Sequence, residues 1–286
     1  MFKRDFKTIQ KKCRGLFFGL IAISLFQGCS GNSSIERFLQ LNKCVDCNLS
    51  NLDLERANLD QANLENSNFN GANFSGAVLT KSNLKGADFE DINLAGANLE
   101  GASLNGVNLS GANLYNTNLT GANLSGAKLP GVDLESANLE GANLSSVQLA
   151  GGSLKGQHIN NIDLSDSNLS EADLSDTELE NANLSRVEGA KANFEDSVLK
   201  KAKLIDANLK GVNLIDVNLN EANLEGANLN GANLEDANLS GANLKNSNLA
   251  NANLSGVEAV KANLQNVNLI NRNLTSTNLI GVDLSG

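Results

Sequence analysis

Apolar side chains recur every fifth residue from Cys47 onward, a spacing that neither the 3.6-residue period of an α-helix nor the two-residue period of a strand can place on one face. Read in fives, the stretch runs Cys47-Asn48-Leu49-Ser50-Asn51, Leu52-Asp53-Leu54-Glu55-Arg56 and on to Val282-Asp283-Leu284-Ser285-Gly286, which is 240 residues or 48 pentads without an insertion or deletion. The central position is Leu in 41 pentads, Phe in four (Phe69, Phe74, Phe89, Phe194) and Ile at Ile159. Two residues earlier the side chain is small, Ala in 24 pentads, and between the two stands Asn in 31 and Asp in six. The fifth position is Gly, Asn or Asp in 36 pentads, residue types that accept turn and left-handed backbone. Self-similarity at so short a period predicts a solenoid.

This Ala-(Asn/Asp)-Leu-x-x pattern resembles the pentapeptide repeat family over about five-sixths of the chain. The resemblance implies an all-β fold, a right-handed quadrilateral parallel β-helix of about 12 coils with four pentads per coil, central and small positions inward, the other three outward. The residues favour the same picture on physical grounds. A square coil must bend sharply once per side, and the fifth position supplies the bend. A large Leu beside a small Ala fills a narrow bore without overpacking. Asn side chains on successive coils can join into amide ladders. Twelve coils stacked ~4.8 Å apart give a rod roughly 55 Å long, an object in which no cleft is expected.

Ahead of the repeats, residues 1–28 read as a signal peptide: basic residues up to Arg14, an apolar run from Gly15 to Phe26, then Phe26-Gln27-Gly28-Cys29-Ser30. Twelve apolar residues are too few to span a bilayer. The block before Cys29 resembles a bacterial lipobox, in which a small residue precedes the cysteine that is acylated, although Phe26 stands where an aliphatic side chain is usual. The resemblance makes Cys29 the lipidation site and a lipid-anchored new amino terminus; an ordinary cleaved signal and an uncleaved anchor are the alternatives. Residues 29–46 form the linker and cap. Ser33 and Glu36 have capping-box spacing, and Ile35, Phe38, Leu39 and Leu41 line one face of a predicted short helix that covers the first coil. The β-helix is placed at 47–286.

Composition narrows the chemistry. Trp is absent, and Pro, Tyr, Met and His occur once each, which removes most side chains used for base stacking, imidazole catalysis or zinc ligation. No catalytic set, metal cluster or cofactor motif is present in the sequence. The net charge is −10, and without residues 1–28, which hold six basic groups and one acid, it is −15. Such a surface repels nucleic acid. Sorting every fourth pentad onto one face gives the face of Leu54, Leu134 and Leu234 11 acids and three bases. On it Asp176, Asp196, Asp216 and Asp236 fall above one another, with Glu195 and Glu235 beside them. This ladder reads either as solvated turn residues or as a site for a divalent cation or a basic partner. Cys44 and Cys47 form a Cys-x-x-Cys pair that in an exported chain fits a structural disulfide closing the cap, with Cys47 as a small buried hydrophobe the other reading; zinc would need two further ligands. Some members of the family carry a similar pair before their first coil.

A few pentads break the pattern. Val187-Glu188-Gly189-Ala190-Lys191 and Val257-Glu258-Ala259-Val260-Lys261 lack the central leucine, which predicts a void at each. Gln157 and Arg272 sit at the small inward position, where neither is expected to fit, and His158 is expected to be a surface residue. The final coil offers unpaired strand edges, which predicts a homodimer through the carboxyl-terminal coils, in keeping with some family members.

Together these readings predict a non-catalytic lipoprotein of the bacterial cell envelope, facing the periplasm or on the outer membrane, whose acidic rod binds a protein partner or supports an assembly. The alternative comes from the family resemblance, since some members are acidic rods that mimic DNA and act on DNA gyrase. The export signal and the absence of projecting loops argue against that alternative.

Overall fold

The computed structural model describes residues 42–269 and 272–285; the predicted signal peptide, Cys29 and the predicted cap helix lie outside them, and no helix occurs among the described residues. Parallel bridges form at one residue per pentad, the one before the central position, as in Asn48↔Asn68, Asn68↔Asp88 and Asp88↔Asn108. The register is therefore 20 residues, or four pentads to the coil. Leu49 N–H donates to Asn68 O (2.8 Å), Asn51 N–H to Asn70 O (2.9 Å), and Asn68 N–H back to Cys47 O (2.8 Å), so every side of the square is stitched to the coils on either side. Around the corner, Ala57 N–H donates to Leu54 O (3.0 Å).

The corner residue takes left-handed backbone, with φ of 64° at Gly71, 58° at Asp176 and 53° at Lys81. Glycine meets this at no steric cost, whereas Lys, Arg and Glu at other corners each carry ~1–2 kcal/mol of strain. Burial of the interior outweighs it, since the central Leu side chains along the rod are almost fully hidden from water, each contributing ~2 kcal/mol. Phe69, Phe74 and Phe89 form an aromatic knot near one end, with centroids 5.2, 5.4 and 6.0 Å apart.

Apart from Ser82, whose Oγ donates to Leu79 O (2.7 Å), and Ser247, whose Oγ has no partner among the described residues, most polar side chains at the small inward position follow one rule. Ser67 Oγ donates to Cys44 O (2.6 Å), Thr117 Oγ1 to Leu94 O (2.9 Å), Ser167 Oγ to Leu144 O (3.0 Å) and Ser197 Oγ to Leu174 O (2.6 Å), each reaching 23 residues back to a carbonyl of the coil below. A hydroxyl so placed costs little, because its hydrogen bond travels with it into the core.

Stacking also starts one pentad earlier than the leucine pattern suggests. Lys43 bridges Asn63, and Cys44 occupies the central place with 3% of its surface exposed, so Asn42–Asp46 already belongs to the ladder. Of the two predicted voids, the one at Gly189 does not form: a Cβ there would lie 3.0 Å from Leu209 Cδ2, because the neighbouring leucine has moved into the vacated space. Near Ala259 an apolar cavity of about 20 Å³ persists among Leu239, Leu254, Val257 and Leu264. At the far end pairing thins, and Leu274, Leu284 and Ile280 are 37%, 53% and 70% exposed. Arg272 is half-buried there with its Nε lacking a hydrogen-bond partner among the described residues.

Candidate functional site

Along much of the rod the Asn at the residue before the central leucine does two jobs. Its Oδ1 accepts from the N–H two residues on, as Asn93 does from Ala95 (3.2 Å), and its Nδ2 donates to the Asn one coil below, as Asn93 does to Asn73 (3.1 Å) and Asn113 to Asn93 (3.2 Å). These amide ladders fix the outward side chains in register, so charges at the corners are held in straight columns.

In three of the four corner columns, charged residues that stand on adjacent coils are opposite in sign. Arg186 grips Asp166 with both Nε and a terminal nitrogen at 2.7 Å, Lys191 meets Glu171 at 3.1 Å and Lys201 approaches Glu221 at 3.8 Å. The Arg186 hydrogen bonds hold the Asp166 carboxyl below its ordinary value, against a smaller opposing effect of desolvation. The fourth column is different. Asp176, Asp196, Asp216 and Asp236 follow one another on successive coils, all exposed and all in left-handed backbone. Lys155 Nζ stands 3.7 Å from Asp176 at the lower end. Glu195 and Glu235 lie alongside, steadied by Asn213 Nδ2 (3.1 Å) and Asn253 Nδ2 (3.3 Å). Among the described residues no three carboxylate, imidazole or thiol groups converge as metal ligands. The column is thus a line of charge.

Two coils below Asp176 on the same corner the stack is interrupted. Among the described corners Ser136 is the one without left-handed backbone. The cause is Gln157, which is 8% exposed and fits inside after all: its Nε2 donates to Leu134 O (2.8 Å), Glu135 O (2.8 Å) and Ala137 O (3.0 Å). This extends the hydroxyl rule to a longer side chain, and the longer reach has a price in regularity. Glu135 O, turned toward Gln157, no longer receives Asn116 N–H, which donates to Ser136 Oγ instead (3.1 Å). The bridges Asn113↔Asp133 and Asn138↔His158 are both missing from a stack that is otherwise continuous as far as Asn263. A groove of about 330 Å³ opens between Glu135, Asn138, Glu140, Gly156, Gln157 and His158, contrary to the expectation that such a rod has no cleft. His158 is exposed, as expected, and its Nδ1 lies 3.0 Å from Glu178 Oε2.

Sequence reasoning missed this groove, although a signal was present. The only Tyr, Pro and His of the chain, Tyr115, Pro130 and His158, stand within the coils that flank it. At the other end of the rod Cys44 and Cys47 are joined by a disulfide with Cα atoms 5.6 Å apart, and Ser67 ties that turn down by accepting from Cys47 N–H (3.1 Å) and donating to Cys44 O.

A short-period β-solenoid with charge held in columns is the class that these features define. The profile of the family described as pentapeptide repeats matches in eight copies that together cover residues 47–186, 190–214 and 218–286, and the chain belongs to that family. Among solved structures it is similar to HetL, a pentapeptide repeat protein involved in heterocyst differentiation regulation from the cyanobacterium Nostoc sp. strain PCC 7120, at 32% identity over 77% of this chain and 88% of HetL, with a TM-score of 0.35. QnrB1, a plasmid-mediated fluoroquinolone resistance protein, is 16% identical over 85% of this chain and 94% of its own, with a TM-score of 0.33. A pentapeptide repeat protein of the Arabidopsis thaliana thylakoid lumen is 34% identical over 38% of this chain and 70% of its own, with a TM-score of 0.20. No curated protein matches the chain.

Proposed function

We propose that this chain is a non-catalytic lipoprotein of the bacterial cell envelope, a right-handed quadrilateral β-helix of about 12 coils whose acidic corner binds a basic protein partner. The observation that carries the reading is the run of Asp176, Asp196, Asp216 and Asp236 on one corner, beside corners where Asp166, Glu171 and Glu221 each meet a base on an adjacent coil. Like charges ~4.8 Å apart repel one another, and a cationic surface laid along them relieves that repulsion on binding. Cys29 anchors the rod, facing the periplasm or on the outer membrane. The exposed Leu274, Ile280 and Leu284 favour a homodimer through the last coils, for which light scattering at micromolar concentration should return twice the monomer mass.

The test is a pull-down from membrane fractions with the full chain beside a variant carrying Asp176→Lys, Asp196→Lys, Asp216→Lys and Asp236→Lys. A basic protein captured by the first and lost from the second supports the reading; equal capture by both defeats it, and recovery of DNA gyrase would favour the DNA-mimic alternative. Palmitate labelling of the wild type and its absence from Cys29→Ala checks the anchor.

A further inference from the structure

At the amino-terminal end of the described rod the Cys44–Cys47 disulfide spans a corner, joining the central side chain of one pentad to the small inward side chain of the next. The loop it closes holds only Val45 and Asp46, both exposed. So short a loop restricts the unfolded chain very little; the bond therefore adds little to the fold, and by linkage the fold does little to protect the bond from reduction. The corner is held by other means. Cys44 N–H donates to Asn63 O (2.8 Å) and Asp46 N–H to Glu65 O (3.0 Å) in the coil above. Ser67 Oγ donates to Cys44 O (2.6 Å) and accepts from Cys47 N–H (3.1 Å), bridging the ends of the loop where, at the next corner but one, Ala57 N–H donates directly to Leu54 O (3.0 Å). None of these bonds involves sulfur, so all of them outlast a break between the two sulfurs.

The two sulfurs differ in access. Cys44 is buried at the central place of its pentad, whereas Cys47 is half-buried and its Sγ stands 3.6 Å from Val45 O on the exposed side of the loop. A thiolate arriving from solvent therefore meets Cys47 first. The Val45 carbonyl is also an acceptor already in place for the Cys47 thiol once that sulfur carries a hydrogen. Both oxidation states thus fit the same corner, and passage between them asks for no refolding.

We propose that Cys44 and Cys47 form a thiol–disulfide exchange site whose partner is a protein dithiol. One thiolate of the partner attacks Cys47 Sγ: a new S–S bond forms, the Cys44–Cys47 bond breaks, and Cys44 Sγ leaves with the electron pair and takes a proton from water. The partner's second thiolate then attacks the partner sulfur of this mixed disulfide, and Cys47 Sγ leaves with its electron pair and is protonated in turn. The pair gains two electrons and two protons, and the partner's dithiol becomes a disulfide. The held corner is what selects a dithiol. A monothiol joined to Cys47 is expelled by Cys44, which Ser67 keeps within reach, before a second monothiol arrives; a dithiol completes the exchange from within the mixed disulfide. This site lies at the opposite end of the repeats from the last coil, and it goes beyond the acidic-rod reading without resting on it.

The test treats the full chain with dithiothreitol or glutathione, quenches with acid, alkylates, and weighs the tryptic peptide 44–56, which carries these two cysteines and no other. Expected in native buffer is complete reduction by dithiothreitol at a rate within about tenfold of that in denaturing guanidinium, with the circular dichroism unchanged. Glutathione at equal thiol concentration should be slower by about tenfold or more. Cys44→Ser should take up glutathione from its disulfide on Cys47 about tenfold faster than Cys47→Ser does on Cys44. Ser67→Ala should slow re-oxidation of the reduced pair about fivefold, and Ser67→Thr, which keeps a hydroxyl as Thr117 does at the same pentad position, should restore it. Reduction that proceeds only as fast as the rod unfolds, loss of the circular dichroism on reduction, or equal uptake by the two single-cysteine variants overturns the exchange site. Equal rates with glutathione and dithiothreitol overturn the dithiol as its partner, and unchanged re-oxidation in Ser67→Ala overturns the hydroxyl bridge as what holds the pair together.

Discussion

Gly189 shows how a solenoid core absorbs the loss of its main residue. Leu209, one coil on, has closed on the vacant site to within 3.0 Å of where a Cβ would stand. Restoring the family's leucine by Gly189→Leu should therefore destabilise the rod by ~1–3 kcal/mol, as overpacking does, although it repairs the repeat; denaturant unfolding will read the sign. Leu209→Ala, which empties a filled core, should cost ~2–5 kcal/mol in the same assay. Charge at the corners obeys similarly local rules. Because Arg186 lowers the Asp166 carboxyl below its ordinary value, the pair stabilises the fold at pH values above the unfolded carboxyl value of ~3.9. That stabilisation is lost as pH falls through the depressed folded value. Replacing Arg186 with Gln should thus lower the melting temperature at neutral pH, and the gap between variant and wild type should close on acidification.

At the scale of the coil, each turn touches only its neighbours, so a defect stays where it is made. The Cys44–Cys47 disulfide closes a loop too short to restrict much of the unfolded chain, worth at most ~2 kcal/mol by chain entropy. Changing both cysteines to Ala should speed amide exchange over residues 42–66, the coil it anchors, and leave residues beyond about 90 at wild-type protection; uniform loss along the chain would contradict nearest-neighbour stability. The same locality decides what could be read from the sequence. The inward Leu and Ala and the turning fifth residue were legible because each depends on sterics inside its own pentad. The ladder's start at Asn42 was hidden because Cys44 stands for leucine and Lys43 for asparagine. The groove was hidden for a deeper reason: it arises only when Gln157 meets three carbonyls that lie 20 to 23 residues behind it, a contact that exists only after the coil has closed. The aspartate column needed only the 20-residue register and so could be placed from the repeat alone.

Over the whole molecule the acidic corner is a long-range electrostatic object, and its behaviour toward salt separates a line of charge from a chelating site. The Debye length is ~8 Å at physiological ionic strength, longer than the ~4.8 Å between coils, so neighbouring carboxylates on the column feel one another until salt is raised well beyond that. Asp216 has an aspartate both above and below it, and its left-handed backbone, with φ of 54°, is one that Asn adopts as readily. Asp216→Asn therefore changes charge with little change of shape. It should raise the melting temperature at low ionic strength by on the order of 1–2 °C, and the gain should vanish in ~1 M sodium chloride, where the screening length shrinks to ~3 Å. Because no three ligands converge among the described residues, calcium should raise the wild-type melting temperature no more than sodium chloride at equal ionic strength. A calcium effect that exceeds the sodium effect and is lost in Asp216→Asn would mean that the column gathers a cation between coils, and that the partner it awaits is an ion.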